Sequence, residues 1–306
     1  MKAILFPGQG SQFVGMGSDF YEKFDLVKDI FATADKTLGF SLSNIILNGP
    51  EEELRLTQNA QPAIMIVGVS IYTILNKKFN LNLGDAKYFA GHSLGEYTAL
   101  VCSEALDLDK AIFLLHERGK AMQAAVPKGE GAMIAVLGMQ LNEVESIIKT
   151  LNTNEVCEIA NDNSNEQVVV SGKKVIIETL SQKLKEKKKR GIILPVSAPF
   201  HCSLMNNAAA SMNEKIQKVN FKKPVPSIIS NVTAKPENNE NSIKSLLVDQ
   251  ITSRVRWRES VNYMISQKVN EFIEIGPGKV LSGLVKKIDK NINIKNINYL
   301  KDIKND

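Results

Sequence analysis

The chain contains little cysteine and few aromatic side chains, and both shortages exclude classes of protein. Its 306 residues include three cysteines, Cys102, Cys157 and Cys202. An odd number without a Cys-x-x-Cys spacing fits neither a disulfide framework nor a zinc ribbon, so we expect a reducing compartment. One tryptophan and six tyrosines, together with a small and dispersed positive charge, argue against a nucleic-acid partner.

Long apolar segments are also missing. Residues 1–6 run into Pro7 and Gly8 after four apolar positions, which is too short for the core of a secretory signal. The longest apolar stretch, residues 63–75, includes glycine, serine and threonine and is well below the roughly 18 to 20 residues that cross a bilayer. The sequence therefore predicts a soluble cytoplasmic protein that does not engage a membrane.

What the chain does contain is the composition of an ordinary globular protein. Hydrophobic residues make up 43% and charged residues 23%, and 38 basic against 33 acidic side chains leave a net charge of +5. These values exclude disorder, collagen and coiled coil as descriptions of the whole chain.

Basic residues crowd into residues 183–190, at the end of a predicted helix. That run is either a solvated helix end that complements the helix dipole or a docking patch for an acidic protein.

The order of predicted elements indicates an α/β fold with an insertion. A strand, a glycine turn and a helix follow one another from residue 2, and the same order recurs from residue 86. Within residues 132–196 the predicted order is βαββαβ, which is the ferredoxin-like arrangement. We therefore expect a large α/β-hydrolase-like subdomain with a parallel sheet, residues 1–127 and 198–306, and a small ferredoxin-like subdomain, residues 128–197.

Residues 91–95 carry the clearest chemical signal. They read Gly-His-Ser-Leu-Gly and match the Gly-x-Ser-x-Gly pattern after a predicted strand and before a predicted helix. So sharp a turn raises the Ser93 hydroxyl above the sheet and brings the Leu94 amide close to it. Ser93 is thus a candidate nucleophile and Leu94 a candidate oxyanion donor. The alternative is a glycine-rich turn in which the serine only caps the helix.

A serine nucleophile needs a base, and the chain has three histidines. His92 adjoins Ser93 on the elbow, where neighbouring side chains diverge. His116 falls inside the helix predicted over 109–125, where a lone histidine usually packs or faces solvent. His201 follows a predicted strand in a proline-containing turn, which is a common setting for catalytic loops. We therefore assign His201 as the general base.

A helix stripe contains one charged residue. Five positions share one face of the predicted helix: Ala111, Leu115, Arg118, Met122 and Ala125. A buried guanidinium should not lack a partner, because an unpaired buried charge is costly. Arg118 either forms an internal salt bridge, which helix physics alone slightly favours, or receives the carboxylate of a substrate, which a serine nucleophile in the same chain favours.

Other familiar motifs are incomplete. Residues 8–13 lack the third glycine of a dinucleotide fingerprint, and residues 276–280 end in valine where a P-loop needs serine or threonine. Cysteines and histidines do not cluster at metal-ligand spacings. We expect neither a metal nor a nucleotide cofactor.

Five segments occur in a characteristic order. They are residues 6–12 (Phe-Pro-Gly-Gln-Gly-Ser-Gln), 91–97 (Gly-His-Ser-Leu-Gly-Glu-Tyr), 118–122 (Arg-Gly-Lys-Ala-Met), 197–201 (Ser-Ala-Pro-Phe-His) and 274–278 (Glu-Ile-Gly-Pro-Gly). In order and spacing they resemble the malonyl-CoA:acyl carrier protein transacylases of bacterial type II fatty acid synthesis, over essentially the whole chain. The resemblance implies a ping-pong transfer of malonyl from malonyl-CoA to the phosphopantetheine thiol of acyl carrier protein.

The resemblance also implies site residues. Ser93 matches the acylated nucleophile, His201 the base, Gln9 and Leu94 the positions whose backbone amides form the oxyanion hole, and Arg118 the partner of the malonyl carboxylate. Further matches are Gln250, whose main-chain carbonyl orients the histidine, Asn161, which lines the site, and Phe200, a bulky residue typical of malonyl-selective members. No cofactor is implied besides the substrates malonyl-CoA and holo acyl carrier protein, and a monomer is expected.

Two other functions compete with this one. A serine esterase or thioesterase shares the elbow but loses the acyl group to water. A non-catalytic subunit that binds carrier protein would form no acyl adduct.

Overall fold

The computed structural model describes residues 1–196 and 198–303. The boundary expected at residue 197 and the last three residues of the large subdomain lie outside the described residues. The strands, in chain order, are β1 Lys2–Phe6, β2 Tyr88–Gly91, β3 Gly131–Leu137, β4 Cys157–Ser164, β5 Gln167–Lys173, β6 Arg190–Ile193, β7 Ile228–Ile229, β8 Pro236–Glu237, β9 Glu271–Ile275 and β10 Asn293–Ile297.

Helices surround these strands. In chain order they are α1 Ser18–Lys23, α2 Asp25–Leu38, α3 Leu42–Asn48, α4 Glu51–Arg55, α5 Thr57–Phe79, α6 Gly95–Cys102, α7 Leu108–Ala124, α8 Leu141–Lys149, α9 Lys174–Glu186, α10 Asn206–Gln217, α11 Glu240–Thr252, α12 Trp257–Ser266 and α13 Val280–Ile288. Three short 3-10 turns are also present, at Leu83–Asp85, Ser203–Met205 and Leu300–Asp302. Among the described residues, no helix has both the length and the apolar character needed to cross a membrane.

The larger sheet has six strands in the order β10-β9-β1-β2-β7-β8. All neighbours are parallel except β7 and β8, which are antiparallel. Strand β1 is apolar on both faces: Ile4 and Phe6 pack into the core that contains α5, whereas Ala3 and Leu5 pack against α12 and α13. Burial on both faces is typical of parallel sheets, and the expected α/β fold with a parallel sheet is confirmed.

The smaller sheet comes from one continuous segment of the chain. Its element order is β3-α8-β4-β5-α9-β6, and its strands lie in the order β4-β5-β3-β6 with antiparallel neighbours. A separate apolar core joins this sheet to α8 and α9. Strand β6 ends at Ile193, three residues before the expected end. Leu194, Pro195 and Val196 instead line the cavity described below.

Strand β4 of the smaller sheet contacts α12 and the segment that leads into it. The Asp162 amide donates to the Val255 carbonyl at 3.0 Å, and the Val255 amide donates to the Ala160 carbonyl at 2.8 Å. Arg258 of α12 donates from Nη2 to Oδ2 of Asp162 at 2.8 Å and from Nε to Oδ1 at 3.0 Å. Because Asp162 is fully buried, this bidentate pair forms in a poorly hydrated environment.

Replacing Arg258 by methionine tests this junction. Arg258→Met leaves a buried carboxylate without its partner, so we expect a loss of about 2 to 4 kcal/mol in the free energy of unfolding. The matched control is Arg55→Met, which removes the exposed Arg55–Glu51 pair and should cost at most about 0.5 kcal/mol. Urea denaturation measures both changes. Equal losses in the two variants would show that the buried pair stabilises the fold no more than the exposed pair does.

Candidate active site

The turn between β2 and α6 is held in a conformation that its glycines permit. Ser93 has φ 53°, in the left-handed region that non-glycine residues rarely adopt. A Cβ on Gly91 would lie 1.9 Å from the Gly95 carbonyl, and one on Gly95 would lie 2.3 Å from the Phe6 carbonyl oxygen. Both positions of the pattern therefore need glycine, and the turn is a strained elbow at the carboxyl end of the parallel sheet.

Asn231, which follows β7, fixes this elbow from the neighbouring strand. Its Oδ1 accepts the backbone N–H of Ser93 at 2.7 Å, and its Nδ2 donates to the Gly91 carbonyl at 2.7 Å. Its own backbone N–H donates to Oε2 of Glu96 at 3.1 Å. The side chain is buried and joins both sides of the turn, so it opposes relaxation of the strained serine.

Ser93 and His201 are hydrogen-bonded to each other. The Ser93 Oγ lies 2.9 Å from His201 Nε2, and His201 Nδ1 lies 2.8 Å from the main-chain oxygen of Gln250. Because a carbonyl only accepts, Nδ1 carries the proton and Nε2 is free to accept one from the serine. Burial, reinforced by the nearby Arg118 charge, lowers the pKa of His201 to about 3, so the ring is neutral near pH 7.

The other two histidines have different partners. His92 Nε2 lies 2.9 Å from Oδ1 of Asn163, and its ring packs on Trp257. His116 Nδ1 lies 2.9 Å from the carbonyl oxygen of Gln58. That carbonyl is left without its helical donor because residue 62 is proline, which has no N–H. Neither ring is hydrogen-bonded to Ser93.

Arg118 lies at the base of the site with only uncharged hydrogen-bond partners. It is 1% exposed. Its Nη1 donates to Oε1 of Gln61 at 2.7 Å, and its Nη2 donates to Oε1 of Gln250 at 2.9 Å and to Ser93 Oγ at 3.1 Å. Its Nε has no hydrogen-bond partner in the described part of the chain. Among the residues described, no carboxylate forms an ion pair with this guanidinium, so the internal salt bridge that helix physics slightly favoured is not found there.

Three of the remaining expected site residues border the same space as Ser93. A cavity of about 420 Å³ is lined by Ser93, His201 and Arg118 together with Gln9, Asn161 and Phe200. Leu94 is the N-cap residue of α6 and is buried, so its backbone amide belongs to the helix end whose N–H groups lack intrahelical acceptors. A larger groove of about 640 Å³ lies against β9 and β10 and contains none of these residues.

No metal site is evident in the part of the chain that the structure describes. There, no three of the histidine, cysteine, aspartate and glutamate side chains are grouped so that they could hold a metal ion. The three cysteines are free.

Three residues of the site were not identified from the sequence. Gln61 and Asn231 were missed because amides in a helix or a loop give no pattern of their own. Glu96 follows the elbow directly, and a carboxylate at the start of an otherwise apolar helix is a signal that could have indicated it.

This geometry defines a class of protein. A serine on a strained elbow, a neutral histidine that accepts its proton and a helix N-terminus beside them are the parts of an enzyme that transfers or hydrolyses acyl groups through a serine ester. A buried arginine that pairs with no carboxylate of the described residues adds a place for an acidic acyl group.

Comparisons with known proteins narrow the class. The family model described as acyl transferase domain matches residues 4–304. The "Malonyl CoA-acyl carrier protein transacylase" of Bacillus subtilis is 43% identical over 95% of this chain and 91% of its own, and that of Escherichia coli K12 is 40% identical over 94% and 92%. The chain belongs to the family of malonyl CoA-acyl carrier protein transacylases.

Solved structures agree with this assignment. The acyl-carrier-protein-S-malonyltransferase of Bartonella henselae superposes with a TM-score of 0.95 at 42% identity, covering 98% of this chain and 96% of that one. A malonyl-transacylase solved in complex with its type II PKS acyl-carrier protein superposes with a TM-score of 0.94 at 37% identity, covering 98% and 97%.

The state of His201 can be tested by NMR. Because its folded-state pKa is about 3, against 6.5 for an unperturbed histidine, we expect its ring signals not to titrate between pH 8 and pH 5. The unfolded chain binds this proton near pH 6.5 and the folded chain does not, so this residue makes stability fall as the pH drops below about 6.5. A His201→Gln spectrum assigns the signals. Titration of the ring near pH 6.5 would contradict the expected neutral state.

Proposed function

We propose that the protein transfers the malonyl group of malonyl-CoA to the phosphopantetheine thiol of acyl carrier protein through an ester on Ser93, in fatty acid biosynthesis. The observation that carries the proposal is Arg118, a buried cation with uncharged hydrogen-bond partners, 3.1 Å from the Ser93 hydroxyl. A malonyl group carries a thioester at one end and a carboxylate at the other. The pair of Ser93 and Arg118 is complementary to both ends.

In the first half-reaction Ser93 attacks the thioester carbonyl carbon while His201 Nε2 takes the hydroxyl proton. The carbonyl of Gln250 holds Nδ1–H and so stabilises the imidazolium that forms, without a third carboxylate. We assign the backbone amides of Gln9 and Leu94 to the oxyanion of the tetrahedral intermediate. The C–S bond then breaks, the histidine returns its proton to the sulfur, and CoA leaves as a thiol.

In the second half-reaction the carrier-protein thiol replaces CoA. His201 removes its proton, the thiolate attacks the ester carbonyl, and the proton passes to the departing Ser93 oxygen. Both steps use the same histidine and the same oxyanion donors, so one site serves both substrates. The chemistry needs no cofactor, because the chain supplies nucleophile and base.

Substrate choice is assigned to the rest of the cavity. Arg118 is proposed to bind the malonyl carboxylate through its Nε–H and the neighbouring N–H groups of the guanidinium. Phe200 is proposed to restrict the space beside the malonyl methylene, so that methylmalonyl is disfavoured, and Asn161 to line the opposite wall. All three border the cavity that contains Ser93, which supports these assignments.

We also propose that the chain divides into a large α/β-hydrolase-like subdomain, residues 1–127 and 198–306, and an inserted ferredoxin-like subdomain, residues 128–197. The separate core and the strand order of the smaller sheet support the division. A cytoplasmic location, in keeping with three free cysteines, a monomeric state and the absence of nucleic-acid or membrane partners belong to the same proposal.

Intact-mass measurement tests the covalent step. After mixing with malonyl-CoA we expect a malonyl adduct on the wild-type protein and none on Ser93→Ala, because only the serine oxygen can form the ester. Holo acyl carrier protein should then discharge the adduct much faster than water does. Equal discharge with and without carrier protein would indicate a thioesterase, and an adduct-free wild-type protein would indicate a non-catalytic binding subunit.

Arg118→Ala tests the assignment of the substrate carboxylate. We expect malonyl transfer to fall by about 100-fold or more, since a charge-assisted bidentate contact is lost, whereas acetyl transfer should fall little or rise. Rates with malonyl-CoA and acetyl-CoA measured on the same preparation serve as mutual controls. Equal losses for both substrates would assign a structural role to the arginine.

A further inference from the structure

The side chain of Gln250 has a second part in the site, separate from that of its main-chain carbonyl. Its Oε1 accepts from Arg118 Nη2 at 2.9 Å, and its Nε2 donates to Oε2 of Glu96 at 2.7 Å. One neutral amide therefore stands between a buried cation and a buried anion. Gln250 is fully buried and Glu96 is 2% exposed, so water has little access to this contact.

Glu96 is connected to every reacting group of the site. The oxygen that accepts from Gln250 also accepts the backbone N–H of Asn231, whose side chain holds the Ser93 amide. Through Gln250 it reaches Arg118 and, by the same residue's main chain, His201. The mechanism above uses neither its charge nor its proton. A buried carboxylate is costly to keep, and among the described residues no cation pairs directly with this one.

We propose that the side chains of Glu96 and Gln250 form a positioning pair that compensates the charge of Arg118 from a distance and leaves its guanidinium available for the carboxylate of an acyl group. The inference rests on the proposed function and deepens it. Glu96 and Gln250 are positioning residues here, because they act on the substrate through Arg118.

Electrostatics explains why the amide stands between the charges. A direct Arg118–carboxylate pair would occupy the guanidinium and make an entering substrate compete with a built-in anion. A cation with no anion nearby would be destabilised by burial, which already lowers the pKa of Arg118. The amide presents oxygen to the cation and N–H to the anion, so its dipole is aligned with both charges. The two charges still interact, and Glu96, after Tyr97, partly offsets the lowering of the Arg118 pKa that burial causes.

The side chains of Glu96 and Gln250 should affect the binding of acyl groups that carry a carboxylate. They should not affect the binding of acyl groups that lack one. Effects of Glu96 on Ser93, on His201 or on the oxyanion are common to malonyl and acetyl transfer. They therefore cancel in the ratio of kcat/KM for malonyl-CoA to kcat/KM for acetyl-CoA. That ratio therefore reports only the action on the substrate carboxylate. A purely structural role of the two side chains would leave the ratio unchanged.

Glu96→Gln is the first test. It keeps an oxygen for Gln250 and Asn231 but removes the negative charge. At pH 8, above the Glu96 pKa of about 7 that burial produces, we expect the malonyl-to-acetyl ratio to rise by about tenfold, mainly through a lower KM for malonyl-CoA. The matched control is Glu274→Gln, another buried carboxylate, which caps α13 and should leave the ratio unchanged.

Gln250→Met is the second test and acts in the opposite direction. It removes the amide, including its 3.1 Å contact with the Ser93 main-chain carbonyl, but keeps the main-chain carbonyl that orients His201, so any loss through Ser93 or His201 should lower malonyl and acetyl transfer alike. Without the amide between them, Arg118 turns towards Glu96, and we expect the malonyl-to-acetyl ratio to fall by about tenfold or more. An unchanged ratio in either variant overturns the inference. So does a fall in Glu96→Gln or a rise in Gln250→Met.

A binding measurement separates failure of this inference from failure of the proposed function. Thermal unfolding at pH 8 with free malonate, and with acetate as the control anion, requires no catalysis. Malonate should stabilise Glu96→Gln more than wild type, and Gln250→Met less. Equal stabilisation of all three proteins overturns the inference even if the malonyl adduct forms. Absence of that adduct on the wild-type protein, with the expected order of malonate stabilisation retained, would instead contradict the proposed transfer.

Discussion

The unbalanced charge of Arg118 is the constraint on which the site depends. A buried guanidinium needs hydrogen-bond acceptors for its N–H groups. Here the acceptors come from α5, α11 and the elbow between β2 and α6. The same groups hold the nucleophile and the base in register. A substrate carboxylate completes this arrangement, so binding and charge compensation become one event. Water cannot do the same, because it brings no negative charge into the cavity.

Much of the architecture could be predicted because its causes are local. The elbow depends on two glycines that the neighbouring backbone makes obligatory, and β1 is a short, largely apolar segment that ends at a glycine turn. Elements with mixed composition were not predicted. Helix α4 has five residues, α12 has three polar residues directly after Trp257, and β10 is an edge strand with three polar residues and two isoleucines. Their positions follow from tertiary packing, which outweighs propensity there.

The candidate site was predictable to the extent that its members carry motifs. Ser93, His201 and Arg118 stand out by residue type and setting, and the structure brings them together. Asn231 and the side chain of Gln250 could not be found in this way, because their contacts with Ser93 and Arg118 span 138 and 132 residues of sequence. A side-chain amide indicates a role in the site only when the partners of both its oxygen and its nitrogen are known. Sequence reasoning therefore identified the reacting groups and, through the resemblance, the Gln250 carbonyl that orients His201, but it missed Asn231 and the Gln250 side chain.

Ser93 and His201 both have positive φ, 53° and 59°, although neither is glycine. Each such residue costs on the order of 1 kcal/mol or more relative to a relaxed backbone, and the cost is borne by the surrounding packing and by the Asn231 contacts. Glycine at either position would relieve that strain and abolish the chemistry. Stability of the fold and catalytic turnover therefore place opposite demands on these two residues. The large buried core supplies stability that offsets the backbone strain.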